Sequence, residues 1–200
     1  MSNRNAALQT LLDNLEASIA ASGVPEEIRG DLDSAFRGLE QPTPSSPSHA
    51  PFQVEACKYL PHALEISTQT DIETVRSVAV AFKEIAPALF WTRRKGTENT
   101  GDFFKGHANA ILIGPGGLEE RDDIWLGVSL MAPQIVYPVH THPPEEMYLV
   151  MSDGDWFQHG EGWVTPGIGG TVYNPGGIEH TMRAKSDPLL AFWLLWGGRH

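Results

Sequence analysis

From His107 to Trp196 the chain is a succession of short β-favouring runs, separated by turn sequences rich in Gly, Pro and Asp. The runs are HANAILIG, DIWLGVSLMAP, IVYPVHTH, EEMYLVMS, GWVTPG, GTVYNPG and LLAFWLLW. Closely spaced short strands with no helix between them are typical of an antiparallel barrel or jelly roll. The pattern therefore predicts that residues 101–200 form a β-barrel.

The first hundred residues show helical periods instead. A first apolar stripe, which Gly23 can end, consists of Leu8, Leu11, Leu12, Leu15 and Ile19. A second stripe begins after Pro25 and consists of Ile28, Leu32, Phe36 and Leu39. We expect these two helices to form a hairpin, which the proline-rich segment 41–51 connects to the rest of the chain.

A third helix is predicted between Thr70, which fits a capping box with Glu73, and Pro87, which would end it. Its buried face should consist of Ile72, Val75, Ala79 and Phe82. The predicted fold is thus mainly β. It is a barrel of residues 101–200 with an N-terminal α-helical segment, residues 1–100, packed on it as one compact structural unit.

Charge and composition exclude several classes of partner. The formal net charge of -11 argues against a nucleic-acid groove. The basic cluster Arg93, Arg94 and Lys95 is interpreted as a solvated turn, with a short anion-steering patch as the alternative. Cys57 is the only cysteine, and no apolar run is long enough to span a membrane. We therefore expect a soluble, cytoplasmic protein without a membrane partner, and a homodimer is compatible with its apolar helical stripes.

The residues that indicate chemistry lie in VHTHPPEEMYLV, residues 139–150. On a strand, His140 and His142 would point the same way, and Glu146 and Tyr148 would share a face of the next strand. The sequence PPEE supplies a bend between them. His180 follows later in a Pro-x-Gly-x-x-His arrangement that starts at Pro175. Imidazoles, a carboxylate and a phenol together form a ligand set suited to Fe, Mn, Ni, Cu or Zn.

This pair of motifs resembles the two motifs of the cupin superfamily, whose fold is a double-stranded β-helix or jelly-roll barrel. The turn residues depart from the superfamily pattern in two places. Gln134 stands where the first motif has a leading glycine, and Ala184 stands where an asparagine often follows the second motif. The ligand positions themselves match.

Tyr148 narrows the resemblance. The series Tyr137-x-x-His140-x-His142-x-x-x-Glu146-x-Tyr148, with His180 downstream, is similar to the dimethylsulfoniopropionate (DMSP) lyases of the DddQ type. That resemblance implies one divalent metal ion held at the positions of His142, Glu146, Tyr148 and His180. It further implies that Tyr148 is the catalytic base, that Tyr137 and His140 contact the substrate, and that DMSP is cleaved to acrylate and dimethyl sulfide by β-elimination.

Ligand types alone do not choose the metal: Fe(II) and Zn are expected first, and Mn, Ni and Cu are compatible. The cationic sulfonium of DMSP should lie against aromatic faces. Tyr137 is the preferred residue for this contact, and the other candidates are Trp156, Trp163, Tyr173, Phe192 and Trp193. No role is assigned to His107 or His159. Two other functions stay open, namely another metal-dependent cupin enzyme such as a dioxygenase or isomerase, and a non-catalytic cupin that binds a small molecule.

Overall fold

A computed structural model describes residues 4–43 and 49–197 of the chain. Its N-terminal part is helical, whereas residues 44–48 of the predicted connection lie outside the described residues. A 3-10 helix, Glu55–Tyr59, precedes the third α-helix. The α-helices are α1 (Ala6–Ala21), α2 (Glu26–Leu39), α3 (Leu60–Gln69), α4 (Glu73–Ile85) and the short α5 (Asp102–Gly106).

Two helical predictions need correction. The main helical partner of α1 is α4 rather than α2. The residue that caps α4 is Ile72 and not Thr70, because Thr70 ends α3, a helix that the sequence analysis missed. With Thr70 extended at that junction, Ile72 is 41% exposed and does not belong to the buried face. Val75, Ala79 and Phe82 are buried as predicted.

The strands form two antiparallel sheets. The larger sheet has six strands in the order β1-β2-β3-β9-β4-β7, and the smaller has three in the order β6-β5-β8. The strands are β1 (Trp91–Thr92), β2 (His107–Ile113), β3 (Trp125–Met131), β4 (Glu145–Val150), β5 (Gly154–Gln158), β6 (Gly162–Val164), β7 (Thr171–Asn174), β8 (His180–Ala184) and β9 (Leu189–Trp196). This architecture confirms the predicted jelly-roll barrel with an N-terminal helical segment.

The larger sheet is buried on both faces. Met147 and Leu149 of β4 join the helices in one apolar cluster, while Tyr148 and Val150 face a second cluster inside the barrel. Because successive side chains of a strand alternate between faces, β4 can contribute to both clusters at once. Trp156 of β5 belongs to the inner cluster, so the two sheets pack on each other through the barrel interior.

One predicted strand is wrong. IVYPVHTH does not form a regular strand, and it is joined to β8 only by the isolated bridges Val136–Arg183 and His140–His180. Pro138 and the pair Pro143 and Pro144 have no backbone N–H to donate, which prevents a continuous ladder. Conversely, β5, which begins at Gly154, is not among the runs predicted as strands.

None of the helices within the described residues has the length and apolarity required to span a membrane.

Candidate active site

The register of the larger sheet carries Glu146 and Tyr148 into the barrel. Across the strands, Tyr148 pairs with Val172 on β7 and with Trp193 on β9. Glu146 pairs in the same way with Asn174 and Leu195. The alternation predicted for Glu146 and Tyr148 is therefore what directs both side chains to the barrel interior.

Three histidines converge beside these residues. His140 and His180 form an isolated bridge: the His140 N–H donates to the His180 carbonyl at 3.0 Å, and the His180 N–H donates back at 2.9 Å. The ring centroid of His180 lies 4.2 Å from that of His140 and 4.9 Å from that of His142. One ring nitrogen from each of the three histidines lies within 4.8 Å of the others. A single bridge, and not the predicted strand, thus brings the two motifs together.

Backbone carbonyls orient all three imidazoles. His140 Nδ1 donates to the Pro138 carbonyl at 3.0 Å, and His142 Nδ1 donates to the Pro144 carbonyl at 2.9 Å. His180 Nδ1 donates to the Ile178 carbonyl at 3.0 Å. Because a carbonyl can only accept, each Nδ1 carries a proton, and a neutral ring keeps its lone pair on Nε2. The Nε2 atoms are therefore the donor atoms that remain free for a ligand.

Glu146 lies between two of these nitrogens. Its Oε2 atom is 3.3 Å from Nε2 of His142 and 3.2 Å from Nε2 of His180. Neither nitrogen has a hydrogen-bond partner of suitable geometry among the described residues, although both are buried. Asn174 Nδ2 donates to the same carboxylate oxygen at 2.9 Å and holds it in place.

This donor set fits a divalent transition metal. Buried imidazole lone pairs and a carboxylate that face one another without hydrogen bonds are unfavourable, and a shared cation would satisfy all of them. Hydrogen bonds to the opposite ring nitrogens and to the carboxylate are the outer contacts that orient metal ligands in proteins. The three histidines, with Glu146 beside two of them, are therefore compatible with a metal site.

The ionisation of the site agrees with this geometry. Burial lowers the pKa of His140 to about 3, helped by the neighbouring His180 and Arg94. Burial acts in the same direction on His142, but its contact with Glu146 outweighs burial and raises the pKa of His142. For Glu146, burial is outweighed by the contacts with His142 and His180, and the pKa of the carboxyl group falls well below its usual range. Glu146 is therefore charged at neutral pH, while His140 is neutral.

Tyr148 lies deeper in the same interior. The residue is 4% exposed, and its ring centroid is 6.1 Å from that of Trp156. Burial, followed by the negative charge of Glu146, raises the pKa of Tyr148 well above the usual 10.0. The phenol is consequently protonated unless positive charge is added next to it.

A cavity of about 170 Å³ opens beside the histidines. Tyr137, His140 and Tyr148 line it, together with Arg94 and Asn109. The Tyr137 hydroxyl oxygen accepts hydrogen bonds from Arg94 Nη1 at 3.4 Å and from Asn109 Nδ2 at 3.3 Å. Tyr137 and His140 thus lie at one cavity with the donor cluster, as their predicted substrate contacts require.

The structure sorts the candidate aromatic residues by position. Trp193 lines the cavity together with Tyr137. Trp156 and Phe192 are each 1% exposed and belong to apolar clusters, whereas Trp163 is 43% exposed. The hydroxyl of Tyr173 donates to Glu145 at 2.7 Å. Tyr137 and Trp193 are therefore the aromatic residues in position to contact a ligand in this cavity.

Two residues of this region have surroundings that the sequence did not reveal. Arg94 is half-buried at the cavity and is not part of a fully solvated turn. His107, to which no role was assigned, is fully buried, and its Nε2 accepts the backbone N–H of Arg94 at 2.7 Å. The one signal in the sequence was the position of His107 at the start of a predicted strand, which does not reveal its partner 13 residues away.

Comparison with known proteins identifies relatives across most of the chain. The family model for dimethylsulfoniopropionate lyase matches residues 29–191. The chain is 29% identical to the dimethylsulfoniopropionate lyase DddQ of Ruegeria pomeroyi over 143 residues, which cover 70% of this chain and 71% of the relative.

Solved structures agree with this match. The crystal structure of DddQ from Ruegeria pomeroyi superposes with a TM-score of 0.70 at 25% identity, covering 96% of this chain and 92% of that one. A chain from the crystal structures of the DMSP lyases RdDddP and RnDddQII superposes with a TM-score of 0.72 at 21% identity, covering 96% and 93%, and supports the fold alone.

Proposed function

The chain belongs to the dimethylsulfoniopropionate lyase family, a family of carbon–sulfur lyases, and from this premise we propose that it cleaves DMSP to acrylate and dimethyl sulfide by metal-dependent β-elimination. The observation that carries the proposal is the convergence of His140, His142 and His180, two of which contact Glu146, next to a cavity that Tyr148 also lines. The cavity is large enough for a small zwitterion and is lined by both aromatic and polar side chains.

We propose that His142, Glu146, Tyr148 and His180 hold a divalent transition metal ion, with Fe(II) and Zn as the first candidates. His140 belongs to the same donor cluster but also lines the cavity, which supports a contact with the substrate. A metal ion at this position would supply positive charge that stabilises both an ionised Tyr148 and the negative charge that develops on the substrate carboxylate.

In the proposed reaction, the Tyr148 oxygen removes a proton from the carbon next to the substrate carboxylate. The electron pair of that C–H bond forms the double bond of acrylate, and the C–S bond breaks with its electrons leaving on dimethyl sulfide. Because burial and Glu146 hold Tyr148 in its phenol form, its action as a base depends on added positive charge. The proposal therefore ties the base to the metal site.

The sulfonium end of DMSP is assigned to the aromatic face of Trp193, because the Tyr137 ring already has the Arg94 guanidinium 5.6 Å from its centroid. A cation over an aromatic ring gains about 0.5–2 kcal/mol per contact, which offsets part of the loss of hydration. The Trp193 ring is partly buried against the inner cluster and lines the cavity.

The decisive experiment is headspace detection of dimethyl sulfide after the purified, metal-loaded protein is mixed with DMSP. We expect dimethyl sulfide and acrylate in equal amounts, and loss of both after chelation with recovery on adding the metal back. A metal-loaded protein that releases neither product contradicts the proposal. Saturable DMSP binding without turnover would indicate a non-catalytic cupin.

The role of Tyr148 is tested with Tyr148→Phe, which removes one hydroxyl group from a buried ring. We expect turnover to fall by about 100-fold or more while the protein remains folded, since general-base catalysis contributes about 10²- to 10⁴-fold. Tyr59→Phe is the matched control, because Tyr59 lies outside the cavity. Metal content measured on both variants separates loss of the base from loss of the ion, and full activity of Tyr148→Phe would exclude it as the base.

A further inference from the structure

The cavity holds one strong fixed cation. Arg94 is the only Lys or Arg among the described residues that line it. Its Nη1 donates to the Tyr137 hydroxyl at 3.4 Å, and its Cζ atom lies 5.6 Å from the Tyr137 ring centroid. The positive charge reaches the candidate metal site, where it contributes to the lowered pKa of His140 after burial and His180.

Arg94 has no acidic partner among the described residues, and of the half-buried arginines without one (Arg76, Arg93 and Arg94) only Arg94 lines this cavity. Arg4, Arg29, Arg121 and Arg183 each form an ion pair with a carboxylate. Within residues 4–43 and 49–197, no carboxylate lies within ion-pair distance of the Arg94 guanidinium. Its charge at the cavity is therefore not neutralised by a carboxylate of the described residues and is available to an anionic ligand. Its single described side-chain hydrogen bond, to Tyr137, leaves most of its N–H groups available.

His107 holds Arg94 in this position. Nδ1 of His107 donates to the Phe103 carbonyl at 2.7 Å, so Nε2 is the acceptor for the Arg94 backbone N–H at 2.7 Å. The imidazole stacks on Phe103 with 3.8 Å between centroids and 6° between planes. Thr97 Oγ1 donates to the Arg94 carbonyl at 2.5 Å. Both backbone groups of Arg94 are therefore anchored, which limits where its side chain can reach.

We infer that Arg94 binds the carboxylate of the substrate at the Tyr137 side of the cavity and that His107 is its positioning residue, an inference that rests on the proposed function for the identity of the substrate. A guanidinium presents paired N–H donors that match the two oxygens of a carboxylate. The same charge repels a sulfonium. A zwitterion would therefore be oriented with its carboxylate toward Arg94 and its sulfonium toward Trp193.

This orientation has a consequence for specificity. Substrates should need a free carboxylate, and the amide of DMSP, which keeps the sulfonium but has no negative charge, should be bound poorly. The preference for acid over amide should depend on Arg94, because the guanidinium loses its charged partner when the amide binds.

The test uses Arg94→Gln in the metal-loaded protein, with propionate as a probe that binds but cannot react. We expect propionate affinity, measured by calorimetry, to fall by about 10- to 100-fold, the range for loss of a charge-assisted hydrogen bond. Arg94→Lys should recover part of the affinity. Arg93→Gln is the matched control, since Arg93 donates to the Phe104 carbonyl at 2.8 Å and does not line the cavity, and it should keep wild-type affinity.

The outcomes separate this inference from the proposed function. If wild-type protein releases dimethyl sulfide but Arg94→Gln binds propionate as tightly as wild type at equal metal content, the role of Arg94 is refuted. A fall in kcat with unchanged KM and unchanged propionate affinity also refutes it. That result would show that Arg94 acts by holding Tyr137 in position rather than by binding the carboxylate. If wild-type protein binds propionate through Arg94 but never releases dimethyl sulfide, the inference about Arg94 holds and the lyase proposal fails. No propionate binding by the wild type overturns the inference.

Discussion

Gly127 on β3 controls the position of Trp193. The two residues are paired across β3 and β9, and the indole ring covers the glycine. A Cβ atom on Gly127 would lie 2.1 Å from Cζ2 and 2.4 Å from Cη2 of Trp193. Because carbon atoms pack at about 3.5–4.0 Å, Gly127→Ala requires the ring to move by about 1.5 Å. Because Trp193 lines the cavity of about 170 Å³, a shifted ring changes the shape of that cavity.

We expect this variant to lose about 1–3 kcal/mol of unfolding free energy, the usual cost of overpacking, and to raise KM for DMSP. At about 2–4 °C per kcal/mol, its melting temperature should fall by roughly 2–12 °C. Thermal unfolding and dimethyl sulfide release measure the two effects. Wild-type values of both melting temperature and KM would refute the reasoning.

A second variant shows whether the ring is responsible. Trp193→Phe removes Cζ2 and Cη2, the two carbons that the new methyl group would approach most closely. In the Trp193→Phe background, Gly127→Ala should therefore cost less than about 0.5 kcal/mol, giving a clear interaction energy in a double-mutant cycle. Equal costs in both backgrounds would show that the strain lies in the backbone of β3 instead.

Three further predictions concern the donor cluster, the fold and pH. Asn174→Ala removes the hydrogen bond to Glu146 and should weaken metal affinity by about 10- to 100-fold in a chelator competition, whereas unchanged affinity would contradict the support role of Asn174. Glu119→Gln leaves the Arg4 side chain charged and only 3% exposed, so the unfolding free energy measured in urea should fall by about 3–5 kcal/mol. Glu26→Gln, at the exposed ion pair with Arg29, is the control and should lose less than about 1 kcal/mol. Burial lowers the pKa of His107 from 6.5 to about 4, so the unfolded chain binds a proton that the native protein does not, and the native state loses stability as pH falls from 6.5 to 4. His107→Phe has no imidazole to protonate, so the difference in unfolding free energy between wild type and variant should shrink by about 3 kcal/mol as pH falls from 6.5 to 4. A difference that does not change with pH would contradict this prediction.

The ligand residues could be recognised from the sequence because their spacing records the strand period. Glu146 and Tyr148 are two residues apart on one strand, so they share a face in any sheet that contains them. The strand expected for His140 and His142 was wrong, because they lie on a proline-interrupted segment that meets β8 at isolated bridges. There the backbone carbonyls of Pro138 and Pro144, and not a regular ladder, orient the rings.

In the helical segment too, the sequence pattern predicts local structure but not which elements pack together. Apolar stripes located α1, α2 and most of α4, because a 3.6-residue period is a local property. The partner of α1 and the boundary at Thr70 depend on which elements meet in space, and no stripe encodes that choice.

By itself, the sequence determined the barrel, its helical N-terminal segment and the chemical types of the donors, since periodicity and residue identity are local. Only the tertiary structure decided that Arg94 meets Tyr137, 43 positions away, and that His107 anchors it. From the sequence alone, the consecutive basic residues Arg93, Arg94 and Lys95 predict a solvated turn. Whether it faces water or a cavity is set by residues that fold against it from distant positions, and those contacts leave no period in the sequence.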